Sequence, residues 1–461
     1  MKTTMAELKL PAQIFRANDI RGDVSRELTP DVVHAIGIGI GSFARDHQVK
    51  KLIVARDGRL SSPTLSASLI KALLETGCDV VDIGAVPSPL LYFATEALDT
   101  SSGVMVTGSH NPAHDNGLKI IFKGEVLIPS TIKTQLESKV FKKGKGRVRT
   151  ADIIPTYVAK LTSDIKLKRK IRVVADAGNG IVGKVFPELA RELGAEVIEL
   201  FSEVDGHFPN HFPNPALPEN LQDLIKKVQE TGADIGVAFD SDGDRLGVVT
   251  NKGTIIESDR LLMFFAMQVL KQSPGATIIY DVKSTRHLDK WVKDRSGVPL
   301  MWKTGHTLII EKMEETGAKL AGELSGHFYF KDRFSGFDDA LYAAARLLEI
   351  LSEESQTSEA IFSSIPNSIN TPELAIAMPD EKKFAFIEKF KKQAVFKGGT
   401  INLLDGIRVD FDYGFGLVRA SNTTPSLVLR FEADTEPQLK EIEALFRAQL
   451  LGVDSGLSLP F

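Results

Sequence analysis

A single cysteine, Cys78, stands in 461 residues, so no intrachain disulfide can form and the chain suits a reducing compartment. The opening residues, MKTTMAELKLPAQ, lack the apolar run of a secretory signal. Nowhere do apolar residues run to the ~20 needed to cross a bilayer. A cytoplasmic protein with no membrane partner is the expectation. An excess of one charge is missing too. The 56 basic and 60 acidic residues leave a net charge of −4, without the basic surplus of a nucleic-acid binder. The P-loop signature is also lacking, which argues against a P-loop NTPase. What remains is an ordinary globular composition, 43% hydrophobic and 25% charged, long enough for about three or four domains.

Short apolar runs alternate with helical patterns, as in βαβ units with mostly parallel sheets. Three of the runs resemble one another: Leu52–Asp57, Ile171–Asp176 and Thr277–Asp281 each end in Asp. Each leads into a helical pattern, near Pro63–Glu75, Val182–Leu193 and Thr285–Asp294. A further apolar strand follows in each case, and then a small-residue strand that opens into a polar, Gly-bearing loop: GVMVTGSHN, DIGVAFDSDGD and KLAGELSGH. These read as diverged copies of one α/β domain, each about a hundred residues long. Ligands gather at the carboxyl ends of strands in such sheets, so the equivalent loops are expected to face one cleft. After the polar linker 363–370 come a helix near 381–393, strands from 399 onward and a last helix from Glu436 to Gln449. That pattern suggests a separate α+β domain acting as a lid.

Asp240-Ser241-Asp242-Gly243-Asp244-Arg245 is the most specific motif. Carboxylates so crowded need a cation, and hard oxygen ligands suit Mg²⁺ or Ca²⁺. The EF-hand pattern fails, because its sixth and twelfth positions are Arg245 and Asn251. A magnesium site completed by a phosphoryl oxygen fits better. Thr107-Gly108-Ser109-His110-Asn111-Pro112 offers an exposed serine at a strand end. By itself it reads equally well as a turn, and because adjacent side chains seldom face each other, the neighbouring His110 does not imply a Ser–His pair. Gly322-Glu323-Leu324-Ser325-Gly326-His327 suits sugar hydroxyls, with His327 a candidate acid or base; a plain polar turn is an equal reading. Arg419-Ala420-Ser421-Asn422-Thr423-Thr424-Pro425 suits phosphate. Arg21, Lys119 and Lys283 are further cations near these loops, any of which alone reads as surface charge. A rival comes from Gly178-Asn179-Gly180-Ile181-Val182-Gly183, which with Glu199 satisfies the dinucleotide fingerprint locally. A dehydrogenase would leave Asp240–Asp244 and the Arg419 loop without a role, so these glycines read better as close helix packing. A metal-dependent phosphatase and an inactive sugar-phosphate binder are further alternatives.

The loops TGSHNP, DSDGDR, GELSGH and RASNTTP, together with the leading FRANDIRG, resemble the α-D-phosphohexomutase superfamily over nearly the whole chain. The branch they look most similar to is the bacterial phosphomannomutase/phosphoglucomutase one. The resemblance implies three α/β domains with mixed, mostly parallel sheets and a C-terminal α+β domain, heart-shaped around a central cleft. Their expected bounds are 1–152, 153–254, 255–366 and 367–461. It also implies a monomer that acts on hexose phosphates, with Mg²⁺ as cofactor and a hexose 1,6-bisphosphate as intermediate and activator. Ser109 would be the phosphoserine and, with Asp240, Asp242 and Asp244, would hold the metal, with Arg245 beside it. Glu323 and Ser325 would bind O3 and O4 of the sugar. Arg419, Ser421, Asn422 and Thr423 would bind the non-reacting phosphate. Arg21, His110, Lys119, Lys283, His306 and His327 match cleft positions, with Lys119 and His327 assigned to proton transfer. Where the family usually has Tyr before Asp-Ile-Arg-Gly this chain has Asn18, which implies an altered substrate contact there.

Overall fold

The computed structural model describes residues 10–16 and 19–461. Asn18 therefore lies outside the described residues. Two compact units divide the chain. The first comprises the residues up to Ile256 together with Ser325–Phe362, and the second Glu257–Leu324 with Ser363–Phe461. The segment 255–366, expected as one domain, thus contributes to both.

The first unit contains two sheets built to one plan. In one, strand Lys51–Arg56 lies between Asp79–Ala85 and Gly103–Val106, parallel to both, and Gly103–Val106 pairs antiparallel with the return strand Asp115–Phe122. In the other, Arg172–Asp176 lies between Glu196–Leu200 and Ile235–Phe239, again parallel, and Ile235–Phe239 pairs antiparallel with Leu246–Thr250. The serine loop joins Gly103–Val106 to its return strand, and the triple-Asp loop joins Ile235–Phe239 to its own. The two loops are structural equivalents. All residues of both third strands are buried, which is why they read as unbroken apolar runs rather than alternating ones.

In the second unit Thr277–Asp281 pairs in parallel with Val298–Trp302 and with Leu320–Gly322. That is the three-strand centre of the same plan. The tail of this unit is an antiparallel sheet in which Ile407–Phe411, Gly414–Ala420 and Ser426–Ala433 are neighbours. Helices Asp380–Gln393 and Glu436–Val453 contribute Phe386, Phe390, Leu439 and Phe446 to its core. The last helix runs one turn beyond the expected Gln449.

Helix Ser62–Glu75 covers the expected span. The helix expected at 182–193 is broken instead, into a 3₁₀ turn at Ile181–Lys184 and an α-helix at Phe186–Glu192. Gly183 lies against the Ser202 carbonyl, where a Cβ would stand 2.1 Å from its oxygen. Packing thus sets the turn. The glycine series at 37–41 lies inside helix Pro30–Asp46, and at Gly41 a Cβ would meet Thr76 Oγ1 at 2.1 Å. These glycines let two helices approach closely. No helix among the described residues is long and apolar enough to cross a membrane.

Candidate active site

The strand-end aspartate of each repeat anchors loops by hydrogen bonding. Asp57 accepts from Thr107 Oγ1 at 2.9 Å and from the Gly108 N–H at 3.1 Å. Asp176 accepts from the Gly178 N–H at 2.9 Å. Asp281 accepts from Ser284 Oγ at 2.7 Å, Thr304 Oγ1 at 3.0 Å and the Leu324 N–H at 3.3 Å. The repeated Asp is thus a clamp at the carboxyl end of the sheet, where the site loops emerge.

Ser109 is 2% exposed and adopts φ +46°. A side chain in the left-handed region costs roughly 1–2 kcal/mol, so the surrounding structure must impose it. Thr107 contributes by accepting the Ser109 N–H on its hydroxyl at 2.9 Å. Ser109 Oγ donates to Asp240 Oδ2 at 2.9 Å and lies 3.2 Å from His110 Nδ1. The contact with His110 is one that adjacency in sequence does not imply. The left-handed turn at Ser109 brings consecutive side chains to the same side. Burial, followed by the cations Arg245 and Arg21, holds His110 well below the ordinary histidine range.

Asp240 is fully buried, and its Oδ1 accepts the N–H groups of Gly243, Asp244 and Arg245 at 3.0, 3.1 and 3.2 Å. Gly243 closes this turn at φ +78°, a conformation that L side chains seldom adopt. Asp242 Oδ2 accepts from Ser88 Oγ at 2.6 Å and Lys119 Nζ at 2.9 Å, and it shares with Asp57 the single proton of Thr107 Oγ1, 3.0 Å away. Lys119 also donates to Asp244 Oδ2. Burial and the other two carboxylates push Asp240 well above the usual carboxylate range. Burial opposes ionisation of Asp244 as well, but Lys119 and His327 outweigh it and hold that carboxyl well below the range. Against its own desolvation, Lys119 is raised by Asp242 and Asp244 and stays charged.

Asp240, Asp242 and Asp244 each offer an oxygen within 4.8 Å of the others. Asp242 Oδ1 is buried without a hydrogen-bond partner, and Asp244 Oδ1 has only longer contacts with His327 and Arg245. Orphaned oxygens in a carboxylate cluster are costly unless a cation takes them, so the loop fits a divalent metal. Arg245 Nε stands 4.0 Å from Asp244 Oδ1. Arg21 donates to Asp19 at 2.5 Å and to Asn111 Oδ1. His327 places Nε2 3.5 Å from Asp244 Oδ1, and its Nδ1 meets Ser325 Oγ at 2.8 Å. The first unit therefore assembles Arg21, Ser109, His110, Lys119, the triple-Asp loop, Arg245, Ser325 and His327.

The second unit assembles the others. Glu323, 2% exposed, accepts the Gly305 N–H at 2.7 Å, next to His306 at the start of helix His306–Thr316. Lys283 pairs with Glu373 at 2.8 Å and stands 3.9 Å from Asp281. Arg419 Nε and the Thr304 N–H both donate to Asp405 Oδ2, at 2.9 and 3.1 Å. Arg419 Nη2 stays buried without a partner. Asn422 Nδ2 donates to the Thr304 carbonyl at 3.3 Å. Ser421 Oγ accepts from the N–H groups of Thr423 and Thr424 at 3.3 and 3.1 Å, which folds the loop back on itself.

The dinucleotide fingerprint finds no ligand space. A Cβ at Gly180 would stand 2.7 Å from both Cα and the carbonyl oxygen of Ser241 in the triple-Asp loop. Glu199, its expected ribose partner, pairs with Arg191 instead.

Several residues of the site carry no motif. Asp338, 2% exposed, joins Asp244 and His327 in a second cluster within 4.8 Å, and burial and Asp244 push its carboxyl up to about 7. Its sequence signal, Asp338-Asp339 before an apolar helix, reads only as a helix cap, and Asp339 does accept the Tyr342 N–H at 2.8 Å. Ser88 and Arg59 carry no signal.

Comparison with known proteins extends these observations over the chain. Residues 12–147, 155–253 and 257–368 match phosphoglucomutase/phosphomannomutase alpha/beta/alpha domains I, II and III, and residues 373–449 match the C-terminal domain. A phosphomannomutase/phosphoglucomutase of Pseudomonas aeruginosa is 52% identical over 455 residues, covering 98% of each chain. A phosphoglucomutase of Neisseria gonorrhoeae is 48% identical over 443 residues, 94% of this chain and 96% of that one. The crystal structure of a phosphoglucomutase/phosphomannomutase family protein from Burkholderia thailandensis superposes with a TM-score of 0.93 at 46% identity, covering 98% of this chain and 100% of that chain.

Proposed function

The chain belongs to the phosphoglucomutase/phosphomannomutase family and is an isomerase of that family; on that premise we propose that it moves a phosphoryl group reversibly between C6 and C1 of glucose and mannose phosphates. Ser109 carries the phosphoryl group, and a hexose 1,6-bisphosphate is the intermediate. The observation that carries this reading is the hydrogen bond from Ser109 Oγ to Asp240, inside a carboxylate cluster that leaves Asp242 Oδ1 unpartnered.

In the forward step the P–O bond to Ser109 breaks as the free hydroxyl of a hexose 1- or 6-phosphate forms its own bond to phosphorus. His327 takes the proton of that hydroxyl, and the departing Ser109 oxygen takes a proton from Lys119, which regains it when Ser109 is phosphorylated again. Lys119, kept charged by Asp242 and Asp244, donates hydrogen bonds to the group in transfer. Arg21 and Arg245 add positive charge beside it. Mg²⁺ bound by Asp240, Asp242, Asp244 and the Ser109 phosphate would supply neutralisation of the charge that develops there. The bisphosphate then turns and returns its other phosphate to Ser109. Glu323 and Ser325 hold O3 and O4, and Arg419, Ser421, Asn422 and Thr423, with Lys283 and His306, hold the phosphate that is not reacting. Both supports for this phosphate role, the unpartnered Arg419 Nη2 and the folded Ser421 turn, come from the second unit.

The test is a Ser109→Ala variant assayed with hexose 1,6-bisphosphate present, with intact-mass measurement of the parent. The expected outcome is a loss of turnover of at least about 10³-fold and a phosphate adduct on the parent peptide containing Ser109. Near-parental turnover by the variant would refute the assignment.

A further inference from the structure

Arg59 belongs to no motif described above. It follows strand Lys51–Arg56 and is 1% exposed. Its guanidinium is spent almost entirely on one loop. Nη2 donates to the carbonyls of Ser109 and Asn111, both at 2.5 Å, and Nη1 to those of Pro112 and Asp115, at 2.5 and 3.1 Å. Nε stands 3.3 Å from Asp57 Oδ2, the same oxygen that accepts from Thr107 and Gly108. Within the loop itself the backbone makes only two bonds, Asn111 N–H to Gly108 and Asp115 N–H to Pro112. The guanidinium fork therefore does for residues 109–115 much of what a helix or a sheet does elsewhere, and it shares the work of holding Ser109 in its strained conformation with Thr107 and with Ser241 Oγ, which donates to the Ser109 carbonyl at 2.6 Å.

The packing around Arg59 leaves no slack. A Cβ at Gly108 would stand 2.4 Å from its Nε. On the far side its guanidinium carbon lies 5.2 Å from the centre of the Phe208 ring, and a Cβ at Gly206 would meet Arg59 Cα at 2.9 Å. Burial lowers the Arg59 pKa, with Asp57 opposing. A charge is thus kept desolvated to serve four neutral carbonyls. Lysine could retain the charge, but its single nitrogen lacks the planar spread that reaches four acceptors.

We propose that Arg59 is a positioning residue for phosphoryl transfer: through the carbonyls of Ser109, Asn111, Pro112 and Asp115 it holds Ser109 Oγ in line with the acceptor hydroxyl. This rests on the reading of Ser109 as the phosphoryl carrier. Both Nη groups of Arg59 are spent on loop carbonyls, so its effect falls on the rate of transfer rather than on binding.

The experiment compares Arg59→Lys, Ser109→Ala and Gly41→Ala, the last a core variant remote from the loop. Steady-state kinetics, single-turnover transfer from pre-phosphorylated enzyme to glucose 1-phosphate, and thermal unfolding are read for each. For Arg59→Lys, kcat and the single-turnover rate fall together by about 10²-fold, as a misplacement near 1 Å would cause, while KM stays within about threefold. Gly41→Ala lowers the unfolding temperature without lowering kcat below that temperature. If Arg59→Lys does not fold, Gly108→Ala, which crowds the guanidinium without removing it, is held to the same kinetic result. A parental single-turnover rate in the folded Arg59 or Gly108 variant, with Ser109→Ala inactive, overturns the role of Arg59 alone. An active Ser109→Ala overturns the reading beneath it.

Discussion

Ser109 Oγ has one proton and two acceptors within reach, Asp240 and His110. With His110 held neutral by burial and by Arg245 and Arg21, the arrangement favours hydrogen bonding over a full charge on the ring. Lys119 is better placed as a charge than as a base, because two carboxylates stabilise its protonated form. The residue whose chemistry is narrowest is Asp242. Its Oδ2 is fully used by Ser88, Thr107 and Lys119, so its unpartnered Oδ1 is what it offers a cation. An amide at this position would remove a negative charge and force a donor group toward either Lys119 or the metal. Asp242→Asn should lower kcat at saturating Mg²⁺ by about 10²-fold or more and raise the Mg²⁺ concentration needed for half-maximal rate. A magnesium titration of activity reads both, and a parental titration curve would exclude Asp242 from the metal site.

At the scale of elements, two helix starts carry testable load. Helix Ala340–Glu353 is capped by Asp339, which also accepts from Tyr157 Oη at 2.8 Å. Burial pushes the Asp339 carboxyl up to about 7, although the Tyr342 N–H and Tyr157 favour its charged form. Because the folded value lies above the ordinary one, the folded chain binds more protons between the two. The stability this group contributes is fully present below about pH 4 and is lost as pH rises through about 7. Asparagine caps about as well as aspartate and cannot ionise. Asp339→Asn should therefore show a shallower fall of unfolding temperature between about pH 4 and 7 than the parent. Asp338, also raised to about 7, leaves part of the slope in place. An unchanged slope would mean that Asp339 does not titrate there. The second helix start is the 3₁₀ turn at Ile181–Lys184, whose preceding Gly180 packs on Ser241. A methyl group there overpacks the Asp240–Asp244 loop at a cost of about 1–3 kcal/mol. Gly180→Ala should lower the unfolding temperature and also weaken Mg²⁺ activation. Loss of stability with parental Mg²⁺ dependence would show that the loop absorbs the crowding elsewhere.

At the scale of the whole molecule, the three-fold repeat is legible in sequence because every copy keeps its buried strands as apolar runs ending in Asp57, Asp176 or Asp281. Loop equivalence follows from it, and with it the link between Ser109 and Asp240–Asp244. The parts that are not legible depend on what distant strand ends bring together. Arg59 is an ordinary arginine until its carbonyl partners, 50 to 56 residues on, surround it. The Ser109–His110 contact needs a left-handed residue that no local pattern announces, and the break in the helix after Gly180 comes from packing on Ser202 and Ser241. Substrate range is the property that belongs to the molecule as a whole. Glucose and mannose differ only at C2, whereas Glu323 and Ser325 are assigned to O3 and O4. A residue that reads shared hydroxyls cannot tell the two sugars apart. Glu323→Gln should then lower kcat/KM for glucose 1-phosphate and for mannose 1-phosphate by the same factor, roughly 10- to 100-fold for loss of a hydrogen bond to a charged group. Part of that loss will come from the Gly305 N–H that Glu323 holds, and this part is also common to both sugars. Coupled assays with each sugar phosphate measure the two ratios. A tenfold or greater difference between them would mean that Glu323 senses C2, and the assignment of this loop to O3 and O4 would have to be given up.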